Sequence, residues 1–202
     1  MIDISMLFEI NKDNAGSAAQ KLESKDIGYL VDILDEKDDK VRYPALLLLQ
    51  SRSVIQDDVY PFWDIFRGKL KSDNSYQRSI GMMLIAENAR WDKDNKLDAM
   101  IGEYFALFHD DKPITIRQSI QALNSIFPYK SHLIGQIATA LMAMNLSAIK
   151  ETMRKLVLTD ILEILAVIRK LEVNDEIDAY IMNALSGGLL DKKTKSKVQS
   201  LL

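Results

Sequence analysis

Apolar residues recur at intervals of three and four positions through almost the whole chain, which is the spacing of one face of an α-helix. Ile27, Leu30, Val31 and Leu34 form one such group. Strand-like alternation of apolar and polar residues is scarce, and the residues that supply tight turns are few, with 8 glycines and 4 prolines in 202 residues. The pattern therefore predicts an all-α protein.

Short polar segments separate the helical stretches: 35–40, 72–75, 92–96, 109–113, 145–147 and 172–176. None is long enough to link two domains, so the sequence predicts a single domain over residues 1–202. The C-terminal stretches 177–189 and 194–202 are typical of a last helix pair whose second helix is short. Leu46 to Leu49 cover every direction around their helix, which predicts that this helix is buried on nearly all sides.

Arginine recurs at near-equal intervals, which indicates a repeated unit. The four residues Arg42, Arg78, Arg117 and Arg154 are separated by 36, 39 and 37 positions. Each opens an apolar helix just after a polar turn whose Asp, Asn or Ser residues are natural helix N-caps. The spacing predicts about five helix pairs laid side by side, because one pair alone cannot bury enough apolar surface to be stable.

The sequence around each arginine resembles the second helix of a HEAT repeat. The pattern is an acidic turn, an apolar residue, the arginine and then a small residue three positions later, as in Asp38 to Arg42 with Ala45, or Arg78 with Gly81. The resemblance covers roughly residues 27–165. It implies a right-handed α-α superhelix of the armadillo type. It also implies a ladder between neighbouring repeats, formed by the four arginines with Asp39, Asp73 and Asp111.

Composition and charge exclude several classes of function. The chain has no cysteine and only two histidines, so thiol chemistry and most histidine-based metal or acid/base sites are excluded. The formal charge of −3 disfavours nucleic acid as a partner. We find no apolar run long enough for a membrane span and no secretory signal, so we expect a cytoplasmic protein with no membrane partner.

Two groups of polar residues are candidates for a partner-binding surface. Gln118, Gln121 and Asn124 are spaced along one face of a helix, opposite its apolar residues, where their amides suit an extended peptide backbone. A solvated helix face would carry the same pattern. The second group is Glu87, Asn88 and Trp91, which ends an otherwise apolar helix. We predict no catalytic residue, no metal and no cofactor.

The leading hypothesis is a non-catalytic scaffold or adaptor that binds a protein or peptide on the concave face lined by its second helices. The alternative is a DNA glycosylase of the HEAT-like kind or another nucleic-acid-binding repair protein. The HEAT-like alkylpurine DNA glycosylases use Trp and Asp side chains, which here would be Trp91 and Asp92, with Arg117 near the lesion. The likeness to the glycosylases is limited to the adjacency of this Trp and Asp.

Overall fold

The structure, a computed structural model, describes residues 2–202, and these contain helices and turns but no β-strand. This confirms the all-α prediction. The α-helices are α1 (Ile4–Leu7), α2 (Ala15–Ala19), α3 (Ser24–Ile33), α4 (Asp39–Ile55), α5 (Trp63–Lys69), α6 (Ser75–Asn88), α7 (Lys96–Ala106), α8 (Pro113–Ile126), α9 (Ile134–Met142), α10 (Glu151–Leu171), α11 (Asp175–Ser186) and α12 (Lys192–Gln199). Short 3₁₀ turns lie at Tyr60–Phe62, Ala89–Trp91, Leu107–His109, Ser131–Leu133 and Leu146–Ala148.

The polar breaks predicted from the sequence coincide with the observed helix ends to within a few residues. Two of the predicted N-caps are confirmed: the side chains of Asp38 and Asn74 accept hydrogen bonds from the first amides of α4 and α6. At α8 the cap is Lys112, which contributes no side-chain bond, and Pro113 opens the helix because a first-turn residue needs no N–H donor. Asn145 caps the 3₁₀ turn at Leu146–Ala148 and not α10.

The chain forms two compact units, one ending at Met100 and the other beginning at Ile101. In the first unit α4 is the central helix, since α1, α2, α3 and α6 all pack against it, while α5 packs against α6. Leu46, Leu48 and Leu49 are buried, as predicted for this helix. A single domain over residues 1–202 stays a prediction.

In the second unit the central helix is α10, against which α8, α9, α11 and α12 pack. Helix α8 also contacts the 3₁₀ turn at Leu107–His109. The buried side chain of Tyr104 lies in this core and donates a hydrogen bond from its hydroxyl to the carbonyl oxygen of Ser119 (2.8 Å). Burial raises the pKa of Tyr104, so the hydroxyl stays protonated and remains a donor.

Helices α5 and α6 approach each other unusually closely at Gly81. A Cβ atom at this position would lie 2.4 Å from the carbonyl oxygen of Phe66 and 2.9 Å from the Cβ of Lys69. Gly81 occupies the small-residue position of the repeat pattern, three residues after Arg78. Ala45, the matching residue in α4, is fully buried. A residue without a Cβ atom is therefore needed at position 81, where α6 contacts α5.

A buried polar network connects one helix pair to the next in the first unit. The ammonium group of Lys69, at the end of α5, contacts the carboxylate of Asp35 and donates to the side-chain oxygen of Gln77 (2.8 Å). Gln77 in turn donates to the carbonyl oxygen of Leu34 (2.7 Å), just after α3. These bonds satisfy a buried lysine and a carbonyl group at a helix end, both costly to bury without partners.

Candidate binding face on helices α8 and α10

The repeating arginines occupy equivalent positions, at the fourth or fifth residue of α4, α6, α8 and α10. Arg42 donates to the carbonyl oxygen of Glu36 (3.1 Å) in the turn before its own helix and contacts Asp39. Its guanidinium also lies 5.3 Å from the ring centroid of Tyr76 on α6. Arg42 therefore reaches the next helix pair through an aromatic ring and not through a carboxylate.

Arg78 and Arg154 bond to the turn before their helices in the same way. Arg78 donates to the carbonyl oxygens of Ser72 (2.8 Å) and Asp73 (3.1 Å). Arg154 donates to those of Ser147 and Ile149, both at 2.8 Å. The carboxylate of Asp111 forms an ion pair with the adjacent Lys112 (3.1 Å). The shared role of these arginines is to satisfy the carbonyl groups of the preceding turn.

Arg117 differs because it bonds to the next second helix. Its guanidinium donates to both carboxylate oxygens of Asp160 on α10, at 2.6 and 3.1 Å. The Gln121 amide donates to the same carboxylate (2.9 Å). The hydrogen bonds to Asp160 raise the pKa of Arg117 above its ordinary value, so the guanidinium stays charged. Asp160 is buried, and α8 and α10 are held side by side by this cluster.

The three amide residues predicted on α8 are at or near the surface. Gln121 and Asn124 are exposed and Gln118 is half-buried. Asn124 donates from Nδ2 to the carbonyl oxygen of Gln121 (3.0 Å) on its own helix, which leaves its Oδ1 available as an acceptor. Within residues 2–202, Gln118 makes no side-chain hydrogen bond. The helix therefore presents unused amide groups next to the cluster around Asp160.

A pocket of about 180 Å³ opens at the C-terminal end of this face. Its walls come from α8, α10 and the segment after α12, and its lining residues are Asn124, Glu163, Ala166, Val167, Lys170 and Leu201. Glu163 contacts Lys197 of α12, which helps to hold the last helix against α10. The arrangement can bind a side chain and hydrogen-bond an adjacent backbone, and it contains no nucleophile or acid/base pair.

The second predicted group, Glu87, Asn88 and Trp91, ties α6 to α4. Asn88 is fully buried and donates to the hydroxyl of Ser53 (2.9 Å), while the Trp91 indole donates to the Ser53 carbonyl oxygen (2.7 Å). Asn88 therefore cannot contact a partner, which corrects the prediction, and Trp91 is held inward. Glu87 is half-buried. Arg52, at the end of α4, is paired with Asp58.

Asp92 has a structural role in the fold, and the glycosylase alternative stays a prediction. Its carboxylate accepts hydrogen bonds from the first two amides of α7, those of Lys96 (2.8 Å) and Leu97 (2.9 Å), and from the Tyr60 hydroxyl (3.0 Å). Burial and the bond to Asp92 raise the pKa of Tyr60, so its hydroxyl remains a donor. A buried carboxylate that caps a helix is not free to act on a substrate.

We expect the substitution Asp92→Ala to lower the free energy of unfolding by about 2 kcal/mol, because it removes the carboxylate that caps α7 and one of the two acceptors of the half-buried Tyr60 hydroxyl. Asp92→Asn keeps one acceptor oxygen and should lose about half as much. Urea denaturation of the three proteins measures both differences. Unchanged stability of Asp92→Ala would contradict the structural role.

The described part of the chain shows neither a metal-binding cluster nor a membrane-spanning helix. Among residues 2–202 there is no group of three His, Asp or Glu side chains placed to hold a metal ion. Of the helices formed by these residues, none combines the length and the apolar character that crossing a bilayer requires.

A larger pocket, of about 390 Å³, lies near the N-terminus of the first unit, but its polar side chains are already engaged. Asn14 accepts from the Asn11 amide (2.9 Å) and donates to the Glu9 carbonyl oxygen (2.8 Å). The buried carboxylate of Asp26 accepts from the backbone amides of Ile2 (3.0 Å) and Glu23 (2.9 Å). The α8–α10 face is the stronger candidate because Gln118 and the Oδ1 atom of Asn124 remain available there for a partner.

Compared with protein-family models, curated proteins and solved structures, the chain gives no significant match.

Proposed function

We propose that this chain is a non-catalytic scaffold or adaptor that binds a protein or peptide on the face formed by its second helices. In this proposal the helix pairs are HEAT-like repeats of a right-handed α-α superhelix. The support for the repeat is that second helices pack against each other within each unit, α4 against α6 and α8 against α10. A protein or peptide is favoured over nucleic acid by the formal charge of −3.

The observation that carries the proposal is the pair of available amide groups on α8, those of Gln118 and Asn124. Residues 118 and 124 are six positions apart on the helix, which is about 9 Å along its axis and about 120° around it. An extended peptide that contacts both would cross the helix obliquely. Amides can both donate to and accept from a peptide backbone, and Arg117 with Asp160 fixes the neighbouring helix in place. The face is therefore ordered before a partner binds, which lowers the entropic cost of binding.

A selection from a library of random peptides displayed on phage tests the proposal with the full chain as the target. We expect enriched peptides whose affinity falls about tenfold or more for the variants Gln118→Arg and Asn124→Arg, since each removes hydrogen bonds and adds bulk to the face. The matched controls are Gln136→Arg on α9 and Asn183→Arg on α11, which alter exposed amides elsewhere in the same unit. These controls should bind as the unmodified chain does.

Failure to enrich any peptide would count against the proposal, as would enriched peptides that bind all four variants equally well. Binding of duplex DNA that weakens steeply with salt would point to the nucleic-acid alternative. Thermal unfolding of each variant checks that loss of binding is not loss of folding.

A further inference from the structure

The pocket beside Asn124 has the size of one large apolar side chain. Its volume of about 180 Å³ is close to that of the engineered cavities, about 150 Å³, that accept a benzene ring. Ala166, Val167 and Leu201 supply apolar wall. Val167 is 37% exposed, so its contribution to the pocket is accessible from solvent. A leucine or phenylalanine side chain would fill this space and remove apolar surface from water.

The charges around the pocket favour an acidic occupant. The carboxylate of Glu163 is offset by its contact with Lys197. Lys170, at the end of α10, is exposed and has no ion-pair partner within residues 2–202. Among the residues that line the pocket, the unpaired charge is therefore positive.

Backbone recognition comes from Asn124. Its Nδ2 group already donates to the carbonyl oxygen of Gln121, so its Oδ1 atom is the one available to accept from a partner's backbone N–H. Asn124 belongs to α8 and Lys170 to α10, so the two residues line the pocket from different helices. A bound residue would thus be held by its side chain, its amide and its neighbouring carboxylate.

We infer that this pocket binds a leucine or phenylalanine side chain of an acidic partner peptide, with Lys170 pairing to a carboxylate next to that residue and Asn124 accepting from its backbone. The inference rests on the proposed function and names the class of partner. Two small ligands separate binding of the apolar side chain from pairing of the carboxylate with Lys170. N-acetyl-leucine carries the apolar side chain, the amide and a carboxylate, whereas N-acetyl-leucine amide lacks the charge.

The test is a titration of the ¹⁵N-labelled full chain with each fragment, followed by NMR. We expect shifts concentrated at the amides of residues 124, 163–170 and 201. N-acetyl-leucine should bind about two- to fivefold more tightly than its amide, which is the contribution of one solvent-exposed ion pair. In Lys170→Gln the two fragments should bind equally. In Val167→Trp, where the indole occupies the pocket, the shifts should disappear.

The matched control is Val173→Trp, which adds the same side chain at a position that is 87% exposed and does not line the pocket. It should respond as the unmodified chain does. Absence of shifts at the pocket, or equal affinity for the two fragments in the unmodified chain, would overturn the assignment.

The peptide selection separates failure of this pocket from failure of the proposed function. Selected peptides that bind Val167→Trp with unchanged affinity would overturn the pocket and leave the binding face standing. Fragments that bind the pocket in a chain that enriches no peptide would overturn the proposed function and support only a small-ligand site of the same chemistry.

Discussion

Replacing Gly81 with alanine is expected to destabilise the protein by about 3 kcal/mol, although alanine is the better helix former by about 1 kcal/mol. The added Cβ would lie 2.4 Å from the Phe66 carbonyl oxygen. That atom belongs to the backbone of α5, so no side-chain rotation relieves the clash and the two helices must move apart. Separation also strains the bonds of the buried Lys69, which sits at the same crossing.

The matched control is Gly102→Ala in α7, where a Cβ would have no atom within 4 Å. This variant should be more stable than the unmodified chain by about 0.5 to 1 kcal/mol, because only the helix propensity changes. Urea denaturation measures the free energy of unfolding of each variant relative to the unmodified chain, and we expect the two differences to have opposite signs. A Gly81→Ala protein as stable as Gly102→Ala would show that α5 and α6 are not in close contact.

Replacing Arg52 with methionine is expected to destabilise the protein by about 3 kcal/mol. The buried guanidinium of Arg52 donates to both carboxylate oxygens of Asp58, at 2.8 to 3.2 Å, and to the carbonyl oxygen of Ala19 (3.1 Å). Methionine retains most of the apolar stem but leaves the carboxylate and the carbonyl group without a donor. The same substitution in the exposed pair of Arg169 and Asp178 should cost less than about 1 kcal/mol.

The loss of stability caused by Arg52→Met should become smaller at low pH. Burial alone would raise the pKa of Asp58, but the hydrogen bonds from Arg52 and Ser24 outweigh it and hold the pKa below its ordinary value of 3.8. The pair therefore stabilises the fold fully above about pH 4 and loses this effect as the pH falls through the lowered pKa. The stability difference between the unmodified chain and Arg52→Met should narrow below pH 4. A difference that stayed constant down to pH 2 would contradict this assignment.

The sequence predicted the helices and their boundaries because those depend on local patterns. Apolar spacing and polar turns are properties of short stretches, and residues such as Asp38 and Asn74 cap the helices that follow them. The pattern missed α1 and α2. Both are short, and α2 is built from small residues with little apolar periodicity, although Asp3 caps α1 in a way that its position before a serine could have indicated.

The sequence predicted the positions of the arginines better than their bonding. Whether Arg42 contacts a carboxylate, a carbonyl group or a tyrosine ring depends on how the turn folds back, and that is a tertiary property. No local pattern identifies Asp160 as the partner of Arg117, because the two residues are 43 positions apart in the chain. The network of Lys69 with Gln77 was not predicted at all, because its members are far from Leu34 in the chain.

The candidate site shows the same division between local and tertiary properties. Helical periodicity placed Gln121 and Asn124 on an exposed face, since three residues make almost one helical turn. The same reasoning could not distinguish Asn88, which is fully buried, from an exposed amide. The pocket requires Leu201 to return to α10, and no spacing in the sequence indicates that approach.

The hydrogen bonds made by Arg78 and Arg154 have a consequence for evolution of the chain by duplication of helix pairs. Each of these arginines donates hydrogen bonds to carbonyl groups no more than seven residues before it in the chain. The residues that stabilise each of these two turns therefore lie within one short segment. Duplication of one helix pair would therefore also duplicate the arginine that stabilises its turn. The interfaces between helix pairs use different residues, Lys69 with Gln77 at one and Arg117 with Asp160 at another. A change in the order of the pairs would therefore bring together surfaces that are not complementary.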